Sequence, residues 1–340
     1  MLDVRALPKA ELHLHIEGTF EPDLIFEIAE RNGVAVPFRS VDALRAAYDF
    51  ADLQSFLNVY YAGMSVLRTE RDYYDLTLAY FRRAAADGVR HAEIFFDPQA
   101  HIARGVAFDV VVGGIRAALD SAERELGVSS HLILCFLRDL SEASAMETLD
   151  AALRNRERIV AVGLDSAEIG NPPSKFARVF ARARAEGLNA VAHAGEEGPP
   201  EYVAEALDVL KVSRIDHGVR CMEDAALVER LRRERIPLTV CPLSNVKLKV
   251  VKDLRDHPLR RMLDAGLVAT VNSDDPAYFG GYVAENYGAT AAALTLSDDD
   301  LVTLARNSFE GAFLDEATRR GFVQQLEREL ALAGRPPERG

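Results

Sequence analysis

Cysteine is scarce, basic charge is outnumbered, and neither a long apolar run nor a phosphate-cradling glycine loop is present. Cys135, Cys221 and Cys241 are the only cysteines in 340 residues, too few and too scattered for a disulfide framework or a CxxC metal knuckle. Cys135 and Cys241 sit in apolar runs and read as buried thiols of a reduced compartment. Forty Lys and Arg face fifty-three Asp and Glu, a net charge of −13. That balance predicts no nucleic-acid partner, which would need a basic surface, and suits a small neutral or cationic substrate. The opening Met1–Arg5 leads into no apolar stretch, so no secretory signal is expected. No segment approaches the roughly 20 apolar residues that span a bilayer, so no membrane association is expected and the cytoplasm is the expected location. GxxxxGK[ST] and GxGxxG are both missing, which leaves nucleotide-cofactor chemistry without support.

Enough is left to build a large core: 49% of the residues are hydrophobic and 27% charged. Short apolar runs at Glu11–Ile16, His91–Phe96, His131–Leu137, Ile159–Leu164, Ala190–Ala194, Arg214–His217, Pro237–Cys241 and Val268–Val271 read as strands. Amphipathic stretches such as Lys175–Glu186, Pro200–Leu210 and Asp224–Glu234 lie between them. Eight strand–helix units joined by right-handed crossovers predict an α/β fold, a (β/α)8 TIM barrel with its site at the C-terminal strand ends. The interval of about 20–88 is long and helix-rich (Glu21–Arg31, Asp42–Ala47, Leu53–Leu67, Arg71–Ala86). It is expected to be a helical insertion over the barrel mouth within a single domain spanning 1–340. The tail from Asp298 is expected to be helical, with a frayed end at Gly334–Glu338.

The polar clusters fall at those strand ends. His13 and His15, one residue apart, share a face of the first strand. His193 ends the fifth, His217 ends the sixth, and Asp274 follows the eighth. His91, His131 and His257 do not follow this pattern and are expected to be structural or surface residues. Three imidazoles and a carboxylate make an N/O donor set suited to zinc, which keeps one position open for water and lowers its pKa to about 7. Glu196, three residues beyond His193 across Gly195, suits a proton carrier, whereas Glu197 reads as an ordinary acid near a helix start. His217, preceded by Asp216, either orients or deprotonates the water or stands behind the ligands.

These residues resemble the adenosine/adenine deaminase family of the amidohydrolase superfamily over nearly the whole chain. The motifs are Pro8-Lys9-Ala10-Glu11-Leu12-His13-Leu14-His15, His193-Ala194-Gly195-Glu196, Asp216-His217-Gly218 and Ser273-Asp274-Asp275-Pro276, in that order. The resemblance implies one zinc ion per subunit on His13, His15, His193 and Asp274. It implies a purine substrate, Glu196 as proton donor to N1, His217 as holder of the attacking hydroxide and Asp275 as the partner of N7. The lysine that bridges two metals in related enzymes is absent from Gly163-Leu164-Asp165-Ser166, so a single metal is expected. Nucleoside enzymes carry an aspartate where this chain has Glu17, and their strand-four Gly-Asp-Glu pattern is replaced here by the run 165–173. Glu17, Gly163, Asp165, Ser166 and Glu168 are therefore expected around the substrate, with Glu17 intruding on the ribose position. The free base, adenine, is the expected substrate, with adenosine or a modified adenine nucleoside or nucleotide as the alternative. A nucleotide would need a basic clamp, for which only Arg104 and Lys175 offer themselves. A silent purine-binding protein would be expected to lack Glu196, His217 or a ligand. A homo-oligomer is compatible with everything above.

Overall fold

A computed structural model describes residues 2–50, 53–332 and 334. Eight parallel strands pair in sequence order: β1 Lys9–Glu11, β2 Val89–Phe96, β3 Ser129–Leu137, β4 Ile159–Asp165, β5 Asn189–Ala194, β6 Arg214–His217, β7 Leu238–Val240 and β8 Ala269–Val271. The expected first strand, Glu11–Ile16, is shorter and earlier than its apolar alternation suggests. Its regular ladder with β2 stops at Glu11, and beyond that the chain divides its backbone between two neighbours. Leu14 bridges Asp274 and His15 bridges Phe95, while Leu12 N–H donates to Asn272 Oδ1 at 2.8 Å. The same few bonds bring β1 and β8 together into a (β/α)8 barrel.

Between β1 and β2 run α1 Pro22–Asn32, α2 Val41–Ala46, α3 Leu53–Met64 and α4 Glu70–Ala86. Of these, α4 packs on β2 and on the long helix Phe108–Leu126, as a barrel helix does, whereas α3 turns inward at the mouth. The later helices are α5 Pro98–Ile102, α6 Phe108–Leu126, α7 Glu142–Arg154, α8 Ala177–Ala185, α9 Pro200–Glu205, α10 Ala225–Glu234, α11 Pro242–Lys247, α12 Leu259–Asp264, α13 Pro276–Phe279, α14 Val283–Leu294, α15 Asp298–Glu310 and α16 Glu316–Leu332. Helix α15 lies against β8 and β1 and covers the seam where the ring closes. Arg335–Glu338, expected to fray, fall outside the described residues. Among the described residues no helix is long and apolar enough to cross a membrane.

The barrel interior is filled in layers set by strand alternation. His91, Glu93 and Phe95 follow one another along one face of β2, and His131, Ile133 and Cys135 along one face of β3. Phe95, Ile133, Cys135, Ala161 and Val191 form an apolar middle layer, separate from the large core between sheet and helices. The rings of His13 and His193 rest on Phe95, with centroids 5.0 and 5.5 Å away. The polar top of the barrel is thus supported on a close-packed apolar floor.

Candidate active site

Three strand ends leave the sheet through backbone conformations that ordinary side chains rarely adopt. Ser166 after β4, His217 at the end of β6 and Asp274 after β8 have φ of 71°, 61° and 63°. Left-handed non-glycine residues cost roughly 1–3 kcal/mol each and cluster where a site requires them. Asp274 is held in place by the first-strand run: its N–H donates to His13 O at 3.1 Å, and its carbonyl accepts from His15 N–H at 3.0 Å.

These turns bring His13, His15, His193 and Asp274 into one buried group. Asp274 Oδ1 lies 3.4 Å from His13 Nε2 and 3.5 Å from His15 Nε2, and His15 Nε2 lies 3.1 Å from His193 Nε2. The far nitrogen of His13 is fixed from behind. Thr239 donates its hydroxyl to Asp216 Oδ1 at 2.8 Å, so its carbonyl, 3.1 Å from His13 Nδ1, accepts the imidazole hydrogen. That tautomer leaves a lone pair on His13 Nε2, a buried nitrogen with no hydrogen-bond partner. Asp165 faces Nδ1 of His15 at 3.5 Å and Asp216 faces Nδ1 of His193 at 3.7 Å, the carboxylate-behind-imidazole arrangement that orients metal ligands. Converging lone pairs without hydrogens between them are what a cation needs, so the residues fit a bound metal ion. Cys241 also borders the group, but burial pushes its thiol well above the usual range and keeps it protonated.

Beside this group is a cavity of about 60 Å³ whose wall includes Glu196, His217, Asp275, Asp165 and Ser166. Glu196 Oε2 stands 3.5 Å from His217 Nε2. Burial, and then the charges of Asp274 and Glu168, raise the Glu196 carboxyl well above the ordinary value, as a proton donor at neutral pH requires. Asp275 is raised by burial and by Asp274. It packs against Gly18, where a Cβ would fall 1.9 Å from Asp275 Oδ1, so only glycine permits this approach.

Glu17, Gly163 and Glu168 do not line the cavity. Glu17 turns away in the short 3-10 turn Glu17–Thr19, where its Oε1 accepts from His101 Nε2 at 2.8 Å and from Asp97 N–H at 3.1 Å. It therefore does not reach the cavity. Gly163 belongs to the barrel interior below, where a Cβ would meet Cys135 Sγ at 2.6 Å. Glu168 shapes the loop that carries Glu196. Its carboxylate accepts the successive N–H groups of Gly195, Glu196, Glu197 and Gly198 at 2.7, 3.1, 2.9 and 2.8 Å. A Cβ on Gly198 would lie 2.5 Å from Glu168 Oε1, which explains the glycine there. Neither suggested phosphate clamp reaches the cavity: Arg104 binds His101 and the carbonyls of Ser65 and Leu67, and Lys175 binds Arg138 O and Asn171.

The sequence reading also missed contributors. Asp97, at the end of β2, lines the cavity together with Phe56, Leu57, Tyr60 and Tyr61 of α3. Burial and the neighbouring Glu17 push the Asp97 carboxyl up to about 8. Arg138, fully buried, donates to His193 O at 2.6 Å and steadies the end of β5.

A (β/α)8 barrel holding three histidines and an aspartate at its C-terminal end, beside a buried acid, defines a metal-dependent hydrolase of the amidohydrolase type. The chain belongs to the adenosine deaminase family, whose model matches residues 8–329. It is 66% identical over 324 residues to an adenine deaminase of Cupriavidus taiwanensis, covering 95% of this chain and 92% of that protein. A crystal structure of an adenine deaminase from Arthrobacter aurescens superposes with a TM-score of 0.94 at 55% identity, covering 96% of this chain and 100% of the other. An amidohydrolase of Burkholderia ambifaria with bound zinc superposes with a TM-score of 0.89 at 28% identity, covering 97% and 93% of the two chains.

Proposed function

We propose that this chain converts adenine and water to hypoxanthine and ammonia, with one zinc ion on His13, His15, His193 and Asp274. The observation that carries the reading is a buried Glu196 carboxyl set 3.5 Å from His217 beside a group of converging imidazole and carboxylate lone pairs. Such a group binds a borderline-soft cation, and zinc is the ion bound in the Burkholderia amidohydrolase. A zinc ion there supplies hydroxide at neutral pH by lowering the pKa of water. The protein groups do the rest. Glu196 gives its proton to N1 as oxygen adds at C6, His217 holds the attacking oxygen, and Asp275, whose carboxyl keeps its hydrogen, donates to N7. The Glu196 carboxylate left by that transfer takes the hydrogen from the new C6 hydroxyl and passes it to the amino nitrogen, the C6–N bond breaks, the nitrogen leaves as ammonia and C6 keeps the oxygen as a carbonyl.

The free base is favoured by size and by hydrogen bonding. About 60 Å³ has room for roughly four to six waters, the scale of a purine ring system. Asp97 Oδ1, Asp165 Oδ1 and Ser166 Oγ have no hydrogen-bond partner. Adenine offers these groups an N–H at N9 that a nucleoside replaces with ribose. A site built to accept that hydrogen rejects the substituted ring by stranding its own acceptors.

Ammonia release by the zinc-loaded protein, with adenine and adenosine run side by side, tests this. Strong turnover of adenine with little of adenosine is expected. The opposite preference would keep the metal site and overturn the reading of the cavity.

A further inference from the structure

His217 has two open roles beside the metal-binding group, taking a proton from the attacking oxygen or donating a hydrogen bond to it. We infer that Asn245 and His257 are positioning residues that hold His217 in its Nε2–H tautomer, so that it faces the attacking oxygen as a donor and removes no proton from it.

Leu259 opens α12, and its backbone N–H is one of the donors that a helix start leaves without an internal partner. Pro258 before it has no N–H to offer. The Leu259 N–H points at His257 Nδ1, 3.1 Å away, so Nδ1 accepts. Burial lowers the His257 imidazole to about 4, leaving it neutral, so its single hydrogen is on Nε2. That nitrogen is 3.1 Å from the side chain of Asn245, and only the amide oxygen can accept there, which orients the amide without ambiguity. The other end, Nδ2, then donates to His217 Nδ1 at 3.3 Å. His217 must carry its hydrogen on Nε2, the nitrogen that faces Glu196 Oε2 at 3.5 Å and Asp274 Oδ2 at 3.7 Å. Asn245, His257 and His217 are all buried, so water does not compete along the relay. Each hydrogen bond fixes the next, from a backbone amide to the reacting centre. Among the described residues Glu196 is then the one proton carrier on this side of the cavity.

The kinetic part of the test rests on the deaminase reading, whereas the spectroscopic part does not. Nitrogen-15 NMR of the zinc-loaded protein labelled at histidine reports the tautomer directly, with the His217 signals assigned by their loss in H217Q. A bare Nδ1 and a protonated Nε2 on His217 are expected in the wild type, and the reverse would overturn the inference. In N245D the carboxylate has no N–H to give, so Nδ1 of His217 must take the hydrogen. The kcat for adenine should fall roughly a hundredfold, the scale of one positioned hydrogen bond or proton-transfer group, with KM and zinc content held within about twofold. Unchanged kcat in N245D would also overturn it. A second pair guards against misfolding: H257Q keeps an N–H directed at Asn245, and H257L does not. A kcat loss in H257L at least several times that in H257Q supports the relay, and equal losses refute it. If the wild type shows the expected tautomer but releases no ammonia from adenine, the deaminase reading fails and the tautomer assignment stands.

Discussion

The two ends of the barrel hold nearly the same residue types and do opposite things with them. At the C-terminal end are His13, His15, His193 and Asp274, and at the N-terminal end His91, Glu93 and His131, each set compact enough to surround an ion. Along β2 the two ends are only a few residues apart, with Phe95 between them. What separates them is the state of the carboxylate. Glu93 Oε2 is bound by the buried Arg214 guanidinium, and Oε1 accepts from the Phe313 N–H and faces His91 Nε2 at 3.4 Å. His91 Nδ1 in turn is 2.8 Å from Ser129 Oγ. Burial alone would raise Glu93, but Arg214 and His91 outweigh it and hold the carboxyl at about 2. At the other end Arg138 pulls the Glu196 carboxyl down only weakly, and burial together with the charges of Asp274 and Glu168 drives it the other way. A charge already matched inside the protein has nothing left to give a metal ion or a substrate. Residue types nominate a site, and unspent lone pairs and unmatched acids make one.

The largest effect should come from removing a ligand at the active end. H13A or D274A should bind substoichiometric zinc and lose at least about a thousandfold in kcat/KM, since without the ion no hydroxide forms at neutral pH. H91A should keep full zinc content and turnover. Metal analysis beside steady-state kinetics checks both, and parallel zinc loss in H91A would erase the distinction between the ends. E196Q should come next, with zinc retained and kcat lowered by about a hundred- to ten-thousandfold because the amide cannot protonate N1. A near-normal rate in E196Q would remove Glu196 from the chemistry.

Much of this contrast was legible in the sequence because both the barrel and its site obey periodic rules. Alternating short apolar runs and amphipathic helices predicted the strands, and polar residues at strand ends pointed to His13, His15, His193, Glu196, His217 and Asp274. The same rule, applied once more, would have found Asp97 directly after the apolar run Ile94–Phe96. What stayed hidden depends on side-chain direction and on contacts across long sequence distances. Glu17 is next to the site in the chain but rotates out of it, because the turn after His15 points it at His101. Glu168 looked like a substrate contact and instead holds four backbone N–H groups of the loop bearing Glu196. His257, in a His-Pro turn, looked structural, and only the helix start at Leu259 and the amide of Asn245 connect it to His217.

Stability should also distinguish the ends. Replacing Arg214 with methionine strands the Glu93 carboxylate inside the barrel, and breaking a buried pair in this way costs about 3–5 kcal/mol. In the wild type the folded pKa of Glu93, about 2, lies below its unfolded value of about 4.3. The pair therefore stabilises the fold above roughly pH 4.3, and this contribution is lost as the pH falls towards 2. R214M should have the opposite slope from this residue and recover stability on mild acidification, as the stranded carboxylate takes a proton. It should also be stabilised by added zinc more than the wild type is, because Glu93 is then free to join His91 and His131. Thermal melts across pH, with and without zinc, would show this. A slope unchanged from the wild type would mean that Arg214 does not hold the Glu93 charge.

The smallest expected effect is at Glu17, and its smallness is the point. If a glutamate in place of an aspartate excluded the nucleoside by its extra length, E17D would open the cavity and adenosine turnover would rise. Glu17 is not on the cavity wall, however. Its Oε1 accepts from His101 and from the N–H of Asp97, so it acts on the substrate through the placement of Asp97. Shortening it should relax Asp97 slightly, raising KM for adenine by a few-fold at most and giving no measurable gain with adenosine. A clear adenosine gain in E17D would return specificity to Glu17. The null result, paired with a loss of adenine preference in D165N or D97N, would assign it to the acceptors that face the ring N–H.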